Sequence, residues 1–353
     1  MFILHSETAI RVEPGVLYTS PVASHRLRTY IPACGLASRA PVWLMPLKHF
    51  LDDPQCARCG KVRAIVLTKF PSGDLLAFRT LFEELLRVLE TRSPDTLVIA
   101  DFTDNLAALA DALGAPFLRE FQQRLSRLCP LVTPCEALAS ALKADATHGV
   151  TVIEDPYESL SRGTIRAPDC KPLRLLWFGH FGEPIRAFLE RELERVLREC
   201  QGVQVELEFI TAEDRWASVG KLRRALTRAM PSLRFVFTPW SLESVDRGLG
   251  RCDIAVLPQD VSSPAGRVKS HNRLVAAIRA GRFAVASPIP AYLELSQFAW
   301  VSEDLASGIA WALQHPEEVA ERLNLGQQEL DARFSPKAVT RKWAELLGFN
   351  GAA

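Results

Sequence analysis

The residues best equipped for chemistry stand between positions 251 and 290, which read RCDIAVLPQDVSSPAGRVKSHNRLVAAIRAGRFAVASPIP. A strand expected over 253–257 runs into a loop rich in Ser, Pro and Gly, and Lys269, Ser270, His271, Asn272 and Arg273 then cluster where a helix opens. A helix N-terminus offers unsatisfied N–H groups and the positive end of its dipole, and two added cations make the start of this helix a candidate for holding phosphate. A solvated basic turn is the competing reading of the same residues.

Other candidates occupy the expected carboxyl ends of strands, where open α/β sheets take their ligands. Asp101 and Asp104 follow a strand over 96–100 in the run ADFTDN. Asp101 is positioned to act as a base or to bind hydroxyls, whereas Asp104 is better suited to capping the helix that begins near Asn105. Gly179 and His180 follow a strand over 173–178: glycine for close backbone approach, histidine as a donor to phosphate or a solvated turn residue. Trp240 follows a strand over 233–237 and either stacks on a ligand ring or packs at the strand end. Two arginines and a histidine, His25, Arg26 and Arg28, are able to grip an anion or to lie on a solvated helix start. Residues 69–74, KFPSGD, form a further strand-to-helix loop in which Asp74 is either a ligand or a helix cap.

Short apolar strands alternating with amphipathic helices must position these groups, the pattern of parallel sheets covered by helices. Strands are expected over 15–19, 42–45, 62–67, 96–100, 131–133 and 150–153, and again over 173–178, 203–210, 233–237, 252–258 and 283–287. Helices are expected over 75–89, 185–200, 216–229 and 273–280, the first with Leu75, Phe78, Phe82, Leu85, Leu86 and Leu89 at helical spacing. Two more open at His315-Pro316 and Ser335-Pro336. Residues 159–172 are poor in apolar side chains and carry Gly163, Pro168 and Pro172, so they read as a linker. The expected organisation is therefore a first α/β domain at 1–160, a linker at 161–172, a second at 173–334, and a C-terminal helix at 335–353 packing back on the first. At 353 residues the chain is long enough for two domains.

Composition excludes several classes. With 42 Lys plus Arg against 41 Asp plus Glu, no global field attracts nucleic acid or an anionic membrane. Of those cations 33 are arginine and nine lysine, so a cation lining a cleft is mostly one able to grip phosphate bidentately. No apolar run reaches the ~18 residues of a membrane span, and the first residues lack the basic region of a signal peptide, so a cytoplasmic protein is expected. Eight scattered cysteines are expected to be reduced. Cys56 and Cys59 lack the second ligand pair of a zinc site, while Cys34, Cys129, Cys200 and Cys252 read as small core residues.

The order Asp253-Ile254-Ala255-Val256-Leu257-Pro258, Lys269-Ser270, Asn272-Arg273-Leu274, Ala280-Gly281 and Val285-Ala286-Ser287-Pro288-Ile289-Pro290 resembles the donor-binding half of the GT-B glycosyltransferases, particularly the bacterial family 4 (group 1) type. Leu175 to His180 resembles the first strand and glycine turn of their second domain, Val132 to Leu138 the segment before the linker, and Val152 to Pro156 the last strand of the first domain. The resemblance implies two Rossmann-like doubly wound domains facing a cleft. It implies transfer of a sugar from a nucleotide-diphosphate donor to a hydroxyl acceptor, probed at Asp101 and His180 for catalysis. Gly179, Trp240, Lys269, Asn272 and Arg273 would meet the donor, and His25, Arg26 and Arg28 the acceptor. Neither metal nor cofactor is implied. The implied partners are a nucleotide-diphosphate sugar and a glycan, lipid-linked or protein acceptor, with peripheral membrane contact and no nucleic acid.

One departure matters. The family commonly carries two glutamates with seven residues between them around this helix, and the matching positions here are Val268 and Ala276, which accept no hydrogen bond through their side chains. A noncatalytic GT-B-like binding protein and a nucleotide-sugar epimerase are therefore the competing readings.

Overall fold

The structure, a computed structural model, describes residues 2–5, 10–14, 20, 22–54, 62–68, 75–158, 162–168, 172–200, 204–213, 220, 224, 227–228, 230 and 233–349. The strand expected over 15–19, Cys56 and Cys59, the loop 69–74 and most of the helix expected over 216–229 lie outside the described residues. The chain forms two compact units, one of Met1–Tyr157, Val268–His271 and Arg333–Ala353, the other of Glu158–Arg267 and Asn272–Ala332.

The first unit is built on a seven-stranded sheet in the order β2-β3-β1-β4-β5-β6-β7. Its strands are β1 (Phe2–His5), β2 (Ile10–Arg11), β3 (Trp43–Pro46), β4 (Ala64–Thr68), β5 (Leu97–Asp101), β6 (Leu131–Thr133) and β7 (Val150–Val152). All pair in parallel except β2, which runs antiparallel to β3 at the edge. Every residue of β4 is buried, as for a parallel strand covered on both faces. The chain's last helix, Pro336–Leu346, belongs to this unit. Ser335 caps it by accepting from Ala338 N, and Val339, Trp343 and Ala344 join Tyr30, Ala33 and Leu36 in one apolar cluster.

The second unit carries a six-stranded, all-parallel sheet in the order β10-β9-β8-β11-β12-β13. Its strands are β8 (Leu173–Phe178), β9 (Val205–Thr211), β10 (Leu233–Pro239), β11 (Ile254–Leu257), β12 (Phe283–Ala286) and β13 (Trp300–Val301). This is the Rossmann order, reversing direction between β8 and β11.

Three expectations change. Strands β1, β2 and β13 were not anticipated, because a run of two to four residues has too little length to reveal a period. The single helix over 185–200 is two, Glu183–Arg191 and Leu193–Glu199, broken at Glu192. Glu192 Oε2 accepts from Leu305 N at 2.7 Å and Ala306 N at 3.1 Å, which satisfies the first two amides of the helix Leu305–Gln314. The described part of the linker is pinned to the second unit: Gly163 N donates to Arg279 O, Arg166 N to Gly281 O, and Gln327 Nε2 to Gly163 O.

Candidate functional site

In the second unit the sheet reverses between β8 and β11, which pair at Ile254 with Leu175 and Ala255 with Leu176. The crevice outside the carboxyl ends of such a strand pair is where doubly wound sheets bind ligands. There β8 runs into Gly179, whose φ of 141° lies in a region that side chains avoid. Arg273 Nη1 donates to Phe178 O at 3.3 Å, and a methyl on Gly179 would stand 3.1 Å from the same nitrogen. The missing side chain thus makes room for the guanidinium. Arg273 is half-buried and sits in the first turn of the helix Asn272–Arg279, which Asn272 opens.

The end of β9 accepts from two of the candidates. Gly179 N donates to Ile210 O and Trp240 N to Thr211 O, both at 3.0 Å. Trp240 is half-buried and His180 exposed. The loop after β11 is internally braced. Gln259 N donates to Ser287 Oγ at 3.0 Å, and Asp260 Oδ1 accepts from Ser262 Oγ at 2.7 Å. Hydrogen bonds from Ser262 and Ser263 hold the Asp260 carboxyl down at about 2. Val268 and Ala276, at the two expected glutamate positions, add no polar group: Val268 is buried and Ala276 half-buried.

In the first unit, His25–Tyr30 forms one π-helical segment with all six side chains buried, followed by the helix Ile31–Ala37. The expected solvated acceptor cluster gives way to a core network. Arg28 is 1% exposed and Asp101 0%. Arg28 reaches Asp101 Oδ1 at 2.6 Å through Nη2 and Asp101 Oδ2 at 3.0 Å through Nε, and Nη1 donates to Ile153 O. Burial pulls the Arg28 guanidinium toward losing its proton, but Asp101 and Asp155 outweigh it and the pKa is raised. Asp101 is therefore held under the surface by Arg28 rather than presented to a substrate. Arg26 Nη1 donates to Ser20 O, and His25 Nδ1 lies 3.3 Å from Ser20 Oγ. The capping expected of Asp104 belongs to Asn105, whose side chain accepts from Ala108 N.

Lys269 stands apart from the other donor candidates. It groups with the first unit, where Nζ donates to Asp104 Oδ1 at 2.7 Å. Beside it Ser270 Oγ donates to Asp155 Oδ2 at 2.6 Å. Glu154, adjacent in sequence, accepts from Arg333 Nε at 2.9 Å and from Lys342 Nζ. Sequence reasoning assigned no role to Ser270, Glu154 or Asp155. The two consecutive carboxylates ahead of Pro156 at a strand's carboxyl end were the available signal.

Burial pushes the Glu154 carboxyl upward, but the hydrogen bonds from Lys342 and Arg333 win and its pKa is lowered. A depressed native pKa means that the unfolded chain binds the extra proton first. The contribution is therefore complete above the ordinary glutamate value of ~4.3 and is lost as pH falls through the lower native value. Glu154→Gln should lower stability at neutral pH and flatten its decline below pH ~4, measured by urea unfolding across a pH series. A decline as steep as that of the parent would refute the assignment.

Among the described residues no group of three or more His, Cys, Asp or Glu is placed to hold a metal ion. No described helix is long and apolar enough to cross a membrane.

No protein-family model and no curated protein matches the chain. Solved structures do. Anabaena HepE in complex with UDP and glucose is 12% identical, with a TM-score of 0.70 over 98% of each chain. The E. coli trehalose-6-phosphate protein bound with UDP-2-fluoro glucose is 8% identical, with a TM-score of 0.62 over 99% of each chain. An S. aureus TarM variant in complex with fondaparinux, alpha-GlcNAc-glycerol and UDP is 12% identical, with a TM-score of 0.59; it matches 82% of this chain, which spans 55% of TarM. At such identities the likeness is one of fold, and the chain has the two-unit α/β fold of the GT-B glycosyltransferase structures.

Proposed function

We propose that this chain is a glycosyltransferase that moves a sugar from a nucleotide-diphosphate donor to a hydroxyl acceptor. The observation that carries the reading is Arg273 set against Gly179 at the reversal point of the second sheet. A guanidinium fork at a helix start takes phosphate oxygens bidentately, and it stabilises the negative charge that grows on a departing nucleoside diphosphate. The UDP or UDP-sugar bound in the HepE, E. coli and TarM structures supports the same donor class. Lys269 is held by Asp104, so the reading gives the diphosphate contact to Arg273, with Asn272 beside it. Trp240 serves the nucleotide base and His180 the reacting groups.

The reading extends to a family 4-type enzyme that retains configuration, with cationic side chains rather than a metal ion meeting the leaving diphosphate. It further includes bacterial surface glycan or glycoconjugate synthesis, a glycan, lipid-linked or protein acceptor, and a cytoplasmic location with peripheral membrane contact. A second reading, a noncatalytic nucleotide-binding protein, is favoured by one observation: Val268 and Ala276 carry no hydrogen-bonding side chain where the resemblance expects glutamates.

Thermal unfolding with nucleotides tests the donor site. UDP at a hundred times its Kd should add about 2.7 kcal/mol, and Arg273→Ala should remove most of that gain. No shift with UDP, GDP, ADP, CMP or TDP at millimolar concentration would sink the assignment. Binding without release of UDP from UDP-glucose, and without transfer to any acceptor extract, would select the noncatalytic reading.

A further inference from the structure

Residues Val268–His271 group with the first unit, whereas the residues on either side of them group with the second. Each of the four is held there by a contact of its own. Cys135 Sγ donates to Val268 O at 3.4 Å, Lys269 pairs with Asp104, Ser270 with Asp155, and the His271 ring meets the Phe334 ring edge-on at 5.2 Å. These contacts are unequal. A thiol is a weak donor, and the Lys269 pair is 43% and 21% exposed, so solvent screens it. The Ser270 bond is short, ends on a carboxylate oxygen and lies in a partly buried setting, the combination that gives hydrogen bonds their strength.

Its far end is also anchored. Asp155 is 7% exposed, and Arg28 Nη1 reaches its other oxygen at 3.4 Å while the same guanidinium grips Asp101 and Ile153 O. The tether therefore ends on the core network. On the other side, Ser270 lies two residues before Asn272, the first residue of the helix whose opening turn carries Arg273. The Ser270 backbone is thus covalently close enough to set how that helix begins.

We propose that Ser270 and Asp155 are positioning residues for Arg273: their bond holds the loop so that the start of the helix stays formed and the guanidinium stays against Gly179. The ligand class, a nucleoside diphosphate, rests on the function proposed above. The Ser270 hydroxyl donates its proton to Asp155, so it acts through the loop and not on the donor. If losing this bond leaves the site competent about a tenth of the time, the apparent Kd rises about tenfold, which is ~1.4 kcal/mol.

The test compares the full chain with Ser270→Ala and Ser270→Thr, using UDP as the probe in titration calorimetry well below the unfolding temperature. Ser270→Ala should raise the Kd about tenfold, and Ser270→Thr, which keeps the hydroxyl, should restore it. A lowered melting temperature with unchanged Kd would mark a merely structural contact and overturn the proposal. Hydrogen exchange at Val275 and Ala276, the first amides bonded within this helix, gives a ligand-free readout. Exchange should quicken about tenfold in Ser270→Ala and recover in Ser270→Thr; unchanged exchange overturns the proposal. If the parent chain binds no UDP while exchange responds as expected, the positioning stands and the donor reading falls.

Discussion

Arg28→Ala is expected to destabilise the first unit by about 3–5 kcal/mol, the cost of leaving a buried charge without its partner. At ~2–4 °C per kcal/mol for a body of this size, the corresponding thermal transition should fall by roughly 6–20 °C. The size follows from geometry. Asp101 is 0% exposed and takes three hydrogen bonds from Arg28, so removal of the guanidinium strands a carboxylate that water cannot reach. Asp155 keeps Ser270 but loses Arg28, and Ile153 O loses a donor. A buried ion pair is costly to break yet contributes little net stability, because desolvating both charges offsets their attraction. The double variant Arg28→Leu with Asp101→Leu should therefore recover a large part of the loss. Calorimetry and urea unfolding decide the matter: a single-variant loss below ~1 kcal/mol would mean that water solvates Asp101 readily.

Gly281→Ala should cost about 2–5 kcal/mol, the sum of left-handed strain and overpacking. Gly281 has φ 70°, and a Cβ there would stand 2.5 Å from Thr164 O and 2.9 Å from Ile165 Cα. Both are main-chain atoms, so no side chain can swing aside. The glycine also closes the helix Asn272–Arg279: Arg282 N donates to Ala277 O and Gly281 N to Ile278 O, the two bonds of a Schellman motif. Gly114 supplies the control. It has φ 61° after the helix Leu106–Leu113, but an added Cβ would meet nothing within 4 Å. Gly114→Ala should thus cost only ~1–2 kcal/mol of conformational strain. Equal losses at the two glycines would show that the linker yields to the added methyl group.

Elements were legible along the chain wherever a segment was long enough to carry a period or a stop signal. The helix at 75–89, the glycine that ends the helix before 281, and the Ser335-Pro336 helix start are local properties, set by side-chain spacing, backbone freedom and capping. The strand alternation likewise implied two α/β units. It also singled out Gly179 and Arg273, because a strand end followed by glycine and a cationic helix start are both visible in one dimension.

What those charges face emerged with the folded chain. His25, Arg26 and Arg28 read as an anion site or a solvated helix start, yet the π-helical segment buries them, and Arg28 finds Asp101 across 73 positions of chain. Lys269 and Arg273 are four residues apart in sequence but group with different units, since one pairs with Asp104 and the other with the end of β8. Charge pairing depends on distance in space and on burial, and neither is encoded by spacing along the chain. Hence Arg273 was legible from its helix start as a candidate phosphate contact, while the partner that neutralises each remaining cation was not.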